Sequence, residues 1–129
     1  DGANSNLVER YDLATKGWEA VAPMAVERFA PAVAVLDGKA YAVGGYHEDG
    51  ALSSVERYDP AANAWEAVAP MATARCNFAM AVLEGKLYAV GGDSRVGSLS
   101  SVERYDPALN AWETVAPMGA GRIGCIALV

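Results

Sequence analysis

The sequence predicts an all-β fold assembled from repeated four-stranded units. Three observations predict it. A 47-residue segment recurs along the chain, short apolar runs alternate with turn residues, and no segment of helical length carries a 3.6-residue apolar period. Val8-Glu9-Arg10-Tyr11-Asp12 returns 47 residues on as Val55–Asp59, and again as Val102–Asp106. Trp18, Trp65 and Trp112 keep the same step, as do Val21-Ala22-Pro23-Met24, Val68–Met71 and Val115–Met118. Between Val55–Met71 and Val102–Met118 only two positions differ, Ala62/Leu109 and Ala67/Thr114.

The middle unit shows the elements in order. Asn77–Leu83 is a run of small and apolar residues, expected as an inner strand buried on both faces. Glu84-Gly85 has the chemistry of a tight hairpin turn, a carboxylate before a glycine that tolerates positive φ. Lys86–Gly92 is the second strand, followed by a polar loop, Asp93–Ser98. Ser101–Tyr105 alternates with the two-residue period of a third strand. Asp106-Pro107-Ala108-Leu109-Asn110 is a turn in which Asp caps, Pro presets φ and Asn tolerates the left-handed region. Ala111–Ala116 carries Trp112 in the fourth strand, and Pro117 ends it. Four short strands per 47 residues describe one blade of a β-propeller.

The chain holds about 2.7 such blades: 1–29 the end of one, 30–76 and 77–123 two full ones, and 124–129 the inner strand of the next. Eleven strands are expected, with no helix longer than one turn. Propellers use roughly four to eight blades, so completion by further blades, another chain or a larger assembly is expected. The inner strands are small-sided, as crowding about a central channel requires. Tyr11, Tyr58, Tyr105 and the three Trp supply bulk to fill the wedge between blades.

Composition excludes several classes of function. The chain is 53% apolar and 20% charged, a globular balance. Its net charge of -6 disfavours nucleic acid, which needs a basic stripe, and disfavours anionic membrane surfaces. The longest apolar runs are about one strand long, so direct membrane insertion is not expected. Two cysteines, Cys76 and Cys125, make no disulfide framework, which points to a reducing, cytoplasmic compartment.

The sequence resembles Kelch repeats across its length. The marks are Gly44-Gly45 and Gly91-Gly92 after Tyr-Ala-Val, a Tyr seven residues before each Trp, and an Arg opening each inner strand. Ser-Val-Glu-Arg-Tyr-Asp-Pro with Asn-x-Trp and Val-Ala-Pro-Met is most similar to the propellers of BTB–Kelch proteins. That resemblance implies a module that binds a peptide or protein through its loop face, as in substrate receptors of cullin-3 ubiquitin ligases.

Three kinds of chemistry find little support. The glycine pairs end strands and open no helix, so they are not phosphate cradles, and close approach of a neighbouring group is their structural use. His47 is the sole histidine, whereas galactose oxidase, a Kelch-fold copper enzyme, needs two. Glu48 and Asp49 beside His47 read as a solvated loop. Cys76 and Cys125 have no periodic histidine partner and read as inert buried thiols. No catalytic residue, metal or cofactor is expected.

The candidate site is a set of arginines and loop residues. Arg28, Arg75 and Arg122 each lie four residues after the blade's Met, in the loop before the inner strand. Repetition places them on one face, ringed about the channel mouth, where they could grip carboxylates or else bond backbone carbonyls between blades. Arg95, Tyr46, His47 and Asp93 in the loops after the glycine pairs are expected to join them. The residues following the repeated Arg are Phe29, Cys76 and Ile123, which favours an apolar or mixed ligand over a strongly acidic one. Two alternatives stand beside this reading: a structural subunit packed in a larger assembly, and a remnant of a Kelch-fold enzyme.

Overall fold

The computed structural model describes residues 6–48 and 50–117. Every regular element among them is a strand. The first unit contributes two, β1 (Val8–Asp12) and β2 (Gly17–Val21), paired antiparallel. The next contributes β3 (Ala32–Leu36), β4 (Lys39–Val43), β7 (Val55–Asp59) and β8 (Ala64–Val68), hydrogen-bonded in that order into one sheet. The last sheet repeats it with β9 (Ala79–Leu83), β10 (Lys86–Val90), β13 (Val102–Asp106) and β14 (Ala111–Val115). These ten strands are ten of the eleven expected. The eleventh, 124–129, lies outside the described residues, as do Cys125 and Arg122.

The loop between second and third strands is more regular than its polar sequence suggests. β5 (Tyr46–His47) pairs with β6 (Gly50–Ala51), and β11 (Asp93–Ser94) with β12 (Gly97–Ser98). Asp93–Ser98 is thus a small ribbon. Its register is set by backbone geometry, with Gly50 at φ 107° and Gly97 at φ 124°, and a two-residue ladder is too short to show a sequence period.

The inner hairpins turn as their residues dictate. Asp37-Gly38 and Glu84-Gly85 have φ of 52° and 75°, and 51° and 76°, the positive pair that two-residue hairpins require. Asp12, Asp59 and Asp106 each accept a backbone N–H two residues on, from Ala14, Ala61 and Ala108.

The core lies between the two four-stranded sheets. Tyr41, Val43 and Val55 pack with Leu87, Ala89 and Tyr105, and the Tyr41 and Tyr105 rings meet at 5.8 Å between centroids. The expectation that inner strands are buried on both faces needs correction at β3 and at β9, where Val82 and Leu83 are 45% and 37% exposed. Val33 and Val35 are 63% and 66% exposed. A cavity of about 430 Å³ opens beside Val33, lined in part by Leu7, Val8, Val33, Ala42 and Trp65.

Candidate functional site

The loop face is built on two buried arginines. The Arg28 Nη1–H donors go to the carbonyls of Gly44 (3.0 Å) and Ser54 (2.8 Å), the two ends of the first ribbon, and Nη2 pairs with Glu56 at 3.1 Å. Arg75 repeats this on Gly91 (2.9 Å), Ser101 (2.9 Å) and Glu103 (3.0 Å). Arg75 also donates Nη2–H to Ser101 Oγ and Nε–H to Glu103, bonds that Arg28 does not make to Ser54 and Glu56. Burial lowers the Arg28 pKa, and Glu56 works against that shift.

Each glutamate completes a clip between blades. The Glu56 carboxylate accepts the N–H groups of Ala25 and Val26, in the loop leaving β2. Glu103 accepts those of Ala72 and Thr73, in the loop leaving β8. Of the two roles the sequence left open for Arg28 and Arg75, the geometry is that of bonding carbonyls between blades. Their side chains are buried beneath the loops and tie each ribbon base to the preceding blade's loop, the carbonyl-bonding alternative. Arg122 lies outside the described residues.

The residues after these arginines do reach the surface. Phe29 and Tyr46 exchange backbone hydrogen bonds of 2.8 and 2.9 Å, and Cys76 and Asp93 do the same at 2.9 and 2.8 Å. The glycine pairs make this approach possible. A Cβ on Gly45 would sit 2.7 Å from the Phe29 carbonyl oxygen, and one on Gly92 would sit 2.5 Å from the Phe78 Cβ. Phe29 stacks on His47 (5.9 Å, 11°) and leans on Tyr46 (5.6 Å). His47 Nε2 lies 3.0 Å from Glu27 Oε1.

A cleft of about 420 Å³ runs between the two ribbons. Tyr46, Asp93 and Arg95 line it together with Ala30, Cys76 and Asn77. The exposed Arg95 side chain crosses from its own ribbon to lie over Gly50 of the other. Of the candidates, the structure brings Tyr46, Asp93 and Arg95 into one cleft and sets His47 beside it, with Arg28 and Arg75 underneath.

The sequence marked Phe29 and Cys76 as bearing on the ligand, but it did not place Ala30 and Asn77 in the site, nor pair Glu27 with His47. A signal for them existed. Positions 29/76 and 30/77 differ between copies of a repeat that is otherwise closely kept. Ala30 and Asn77 hold φ of 50° and 53°, the left-handed region, which turns the chain sharply out of the arginine loop. The Cys76 thiol is pushed up in pKa, by burial first and by the charge of Asp93 second, so the thiolate is disfavoured. Among the described residues, no group of three or more His, Cys, Asp or Glu is arranged to hold a metal ion. Also among them, no helix is long and apolar enough to cross a membrane.

Four-stranded antiparallel sheets, joined side by side through repeated clips, define a segment of a β-propeller. The model of the Kelch motif matches residues 27–72 and 74–119. The chain belongs to the Kelch-repeat family of β-propellers. It is similar to Kelch-like protein 5 of Homo sapiens, 49% identical over 51 residues, a stretch that is 40% of this chain and 7% of that protein. Its fold is similar to the solved structure of YjhT, with a TM-score of 0.76, 18% sequence identity, and 84% of this chain and 44% of that one covered. The chain therefore spans a small part of the first relative and under half of the second.

Proposed function

We propose that this chain is a protein-interaction module that takes an extended peptide or loop of a partner in the cleft between its two ribbons. One observation carries the reading: variable recognition side chains stand on an invariant mount. Tyr46 and Phe29 offer aromatic faces, Arg95 a planar cation, and Asp93 a carboxylate, while buried Arg28 and Arg75 hold the ribbon bases from below. The ligand is mixed in character, with an apolar side chain against the rings and a carboxylate for Arg95. The mechanism is binding without a chemical step. The likeness to Kelch-like protein 5 supports the finer reading that the module serves as a cytoplasmic substrate receptor of a cullin-3 ubiquitin ligase.

Peptides selected from a random display library against the chain test this. Arg95→Ala and Tyr46→Ala should each weaken the selected peptides on the order of tenfold. Arg57→Ala, on the opposite side of the blade, should leave them unchanged. Equal binding by all three variants would place the ligand elsewhere.

A further inference from the structure

The cleft between the ribbons is crossed by one side chain. Arg95 stands at the tip of the β11–β12 ribbon, and its stem lies over Gly50, where the β5–β6 ribbon returns from its own tip. A Cβ on Gly50 would sit 3.3 Å from Arg95 Nε and 3.4 Å from its Cγ. Both distances fall inside the roughly 3.5–4.0 Å at which such atoms attract best. Glycine is therefore what makes room for the arginine. Among the described residues no carboxylate pairs with the Arg95 guanidinium, so contact with Gly50, and not an ion pair, directs it.

The repeat supplies a matched position. Gly97 follows the tip of the second ribbon as Gly50 follows that of the first, 47 residues apart. Both hold a positive φ, 124° and 107°. A Cβ on Gly97 would meet nothing within 4 Å. A side chain at either glycine strains the backbone in the same sense, but only at Gly50 does it also take the place of Arg95. The residue 47 before Arg95 is Glu48, so the charge at this tip position reverses between ribbons while the glycine two residues on is kept.

We infer that Gly50 is the positioning residue of the cleft: it seats Arg95 across the opening and so sets the preference for a ligand carboxylate. The inference rests on the cleft being the peptide site. An arginine free in solvent loses rotamer freedom when it grips a ligand, and that loss is subtracted from the affinity. An Arg95 laid along Gly50 has given up much of this freedom before the ligand arrives. Its planar fork then meets a carboxylate at a fixed place in the cleft that Tyr46 also lines. Specificity thus depends on a residue that offers the ligand no side chain of its own.

NMR relaxation of the Arg95 Nε–H tests the seat with no ligand present. In the unmodified chain this group should be no more mobile than that of Arg10, which an ion pair to Glu19 holds. Gly50→Leu should free it, and Gly97→Leu should not. The consequence is read with the tightest carboxylate-bearing peptide from the display selection, beside its amide counterpart. Gly50→Leu should lower the preference for the carboxylate about two- to tenfold. Gly97→Leu should leave that preference alone, and in an Arg95→Ala background Gly50→Leu should have no further effect on it. An Arg95 group far looser than that of Arg10 in the unmodified chain would overturn the inference, and this measurement decides even where a leucine variant does not fold. Equal loosening by the two leucine variants, an undiminished preference in Gly50→Leu, or selected peptides with no carboxylate requirement would each overturn it too. A seated Arg95 in a chain that binds no selected peptide would overturn the peptide reading while supporting the seat.

Discussion

The five residues Val-Glu-Arg-Tyr-Asp occur three times, in β1, β7 and β13, and each copy pairs with a Trp-bearing strand in the same register. Their surroundings differ completely. In β7 and β13 the Glu and Tyr are buried and bonded, the Glu to an arginine and two backbone N–H groups. In β1 the same Glu and Tyr stand in solvent. Yet the neighbouring Arg behaves alike in all three, with Arg10, Arg57 and Arg104 pairing with Glu19, Glu66 and Glu113 at 2.7, 2.8 and 2.6 Å. Local sequence fixes the hairpin and its surface ion pair. Burial of the Glu and Tyr comes from the blade packed against them, so identical strands acquire different energetics from their neighbours.

The largest effect that would sharpen this contrast is removal of the buried cation. Arg75→Ala leaves Glu103 buried without its partner and should cost about 3–5 kcal/mol in urea unfolding. Glu9→Ala, at the equivalent of Glu103 in the half-blade, should leave the unfolding midpoint where it was. A comparable loss from Glu9→Ala would break the comparison. Next, Trp112→Phe removes the N–H that reaches Ala69 and should cost about 1–2 kcal/mol. Trp18→Phe, read in dilute solution, should cost nothing measurable.

Smaller still, and opposite in sign, is a change at the cleft. Ala30 holds a left-handed φ that glycine adopts without penalty. Ala30→Gly should stabilise by about 0.5–1 kcal/mol, the relief of strain less the entropy glycine gains when unfolded. Asn77→Gly should gain less, because asparagine tolerates that region better. Least of all, breaking the exposed Arg10–Glu19 pair should shift the melting temperature little, and any shift should vanish in added salt.

The repeat made much of this legible. A 47-residue step with four apolar runs dictates four-stranded blades, and Asp37-Gly38 and Glu84-Gly85 announce their hairpins. What escaped was set by contacts between repeats. Arg28 and Arg75 occupy a position that could face a ligand or the scaffold, and only packing distinguishes the two. Inside, each finds two carbonyls and a carboxylate converging on it, a geometry assembled from segments as far as 28 residues apart. The ribbons at Tyr46–Ala51 and Asp93–Ser98 escaped for a different reason, since their pairing rests on glycine backbone angles. The cleft is partly visible in the sequence: Tyr46, Asp93 and Arg95 stand in the loops after the glycine pairs and Cys76 follows a repeated Arg, while Ala30 and Asn77 betray themselves only as positions at which the repeat varies.

The arginine clip takes hold of each ribbon through main-chain oxygens at Gly44, Ser54, Gly91 and Ser101. A carbonyl oxygen is present whatever side chain its residue carries. These carbonyl contacts are therefore indifferent to the side chains at the ribbon tip, and the same pair of them holds Tyr46-His47 in one blade and Asp93-Ser94 in the next. Such a mount separates two kinds of heredity: mutations in the ribbon tips can alter what is recognised without loosening the blade, whereas mutations in the Arg and Glu beneath are felt as loss of the protein. Specificity on this face can drift one side chain at a time over a foundation that cannot.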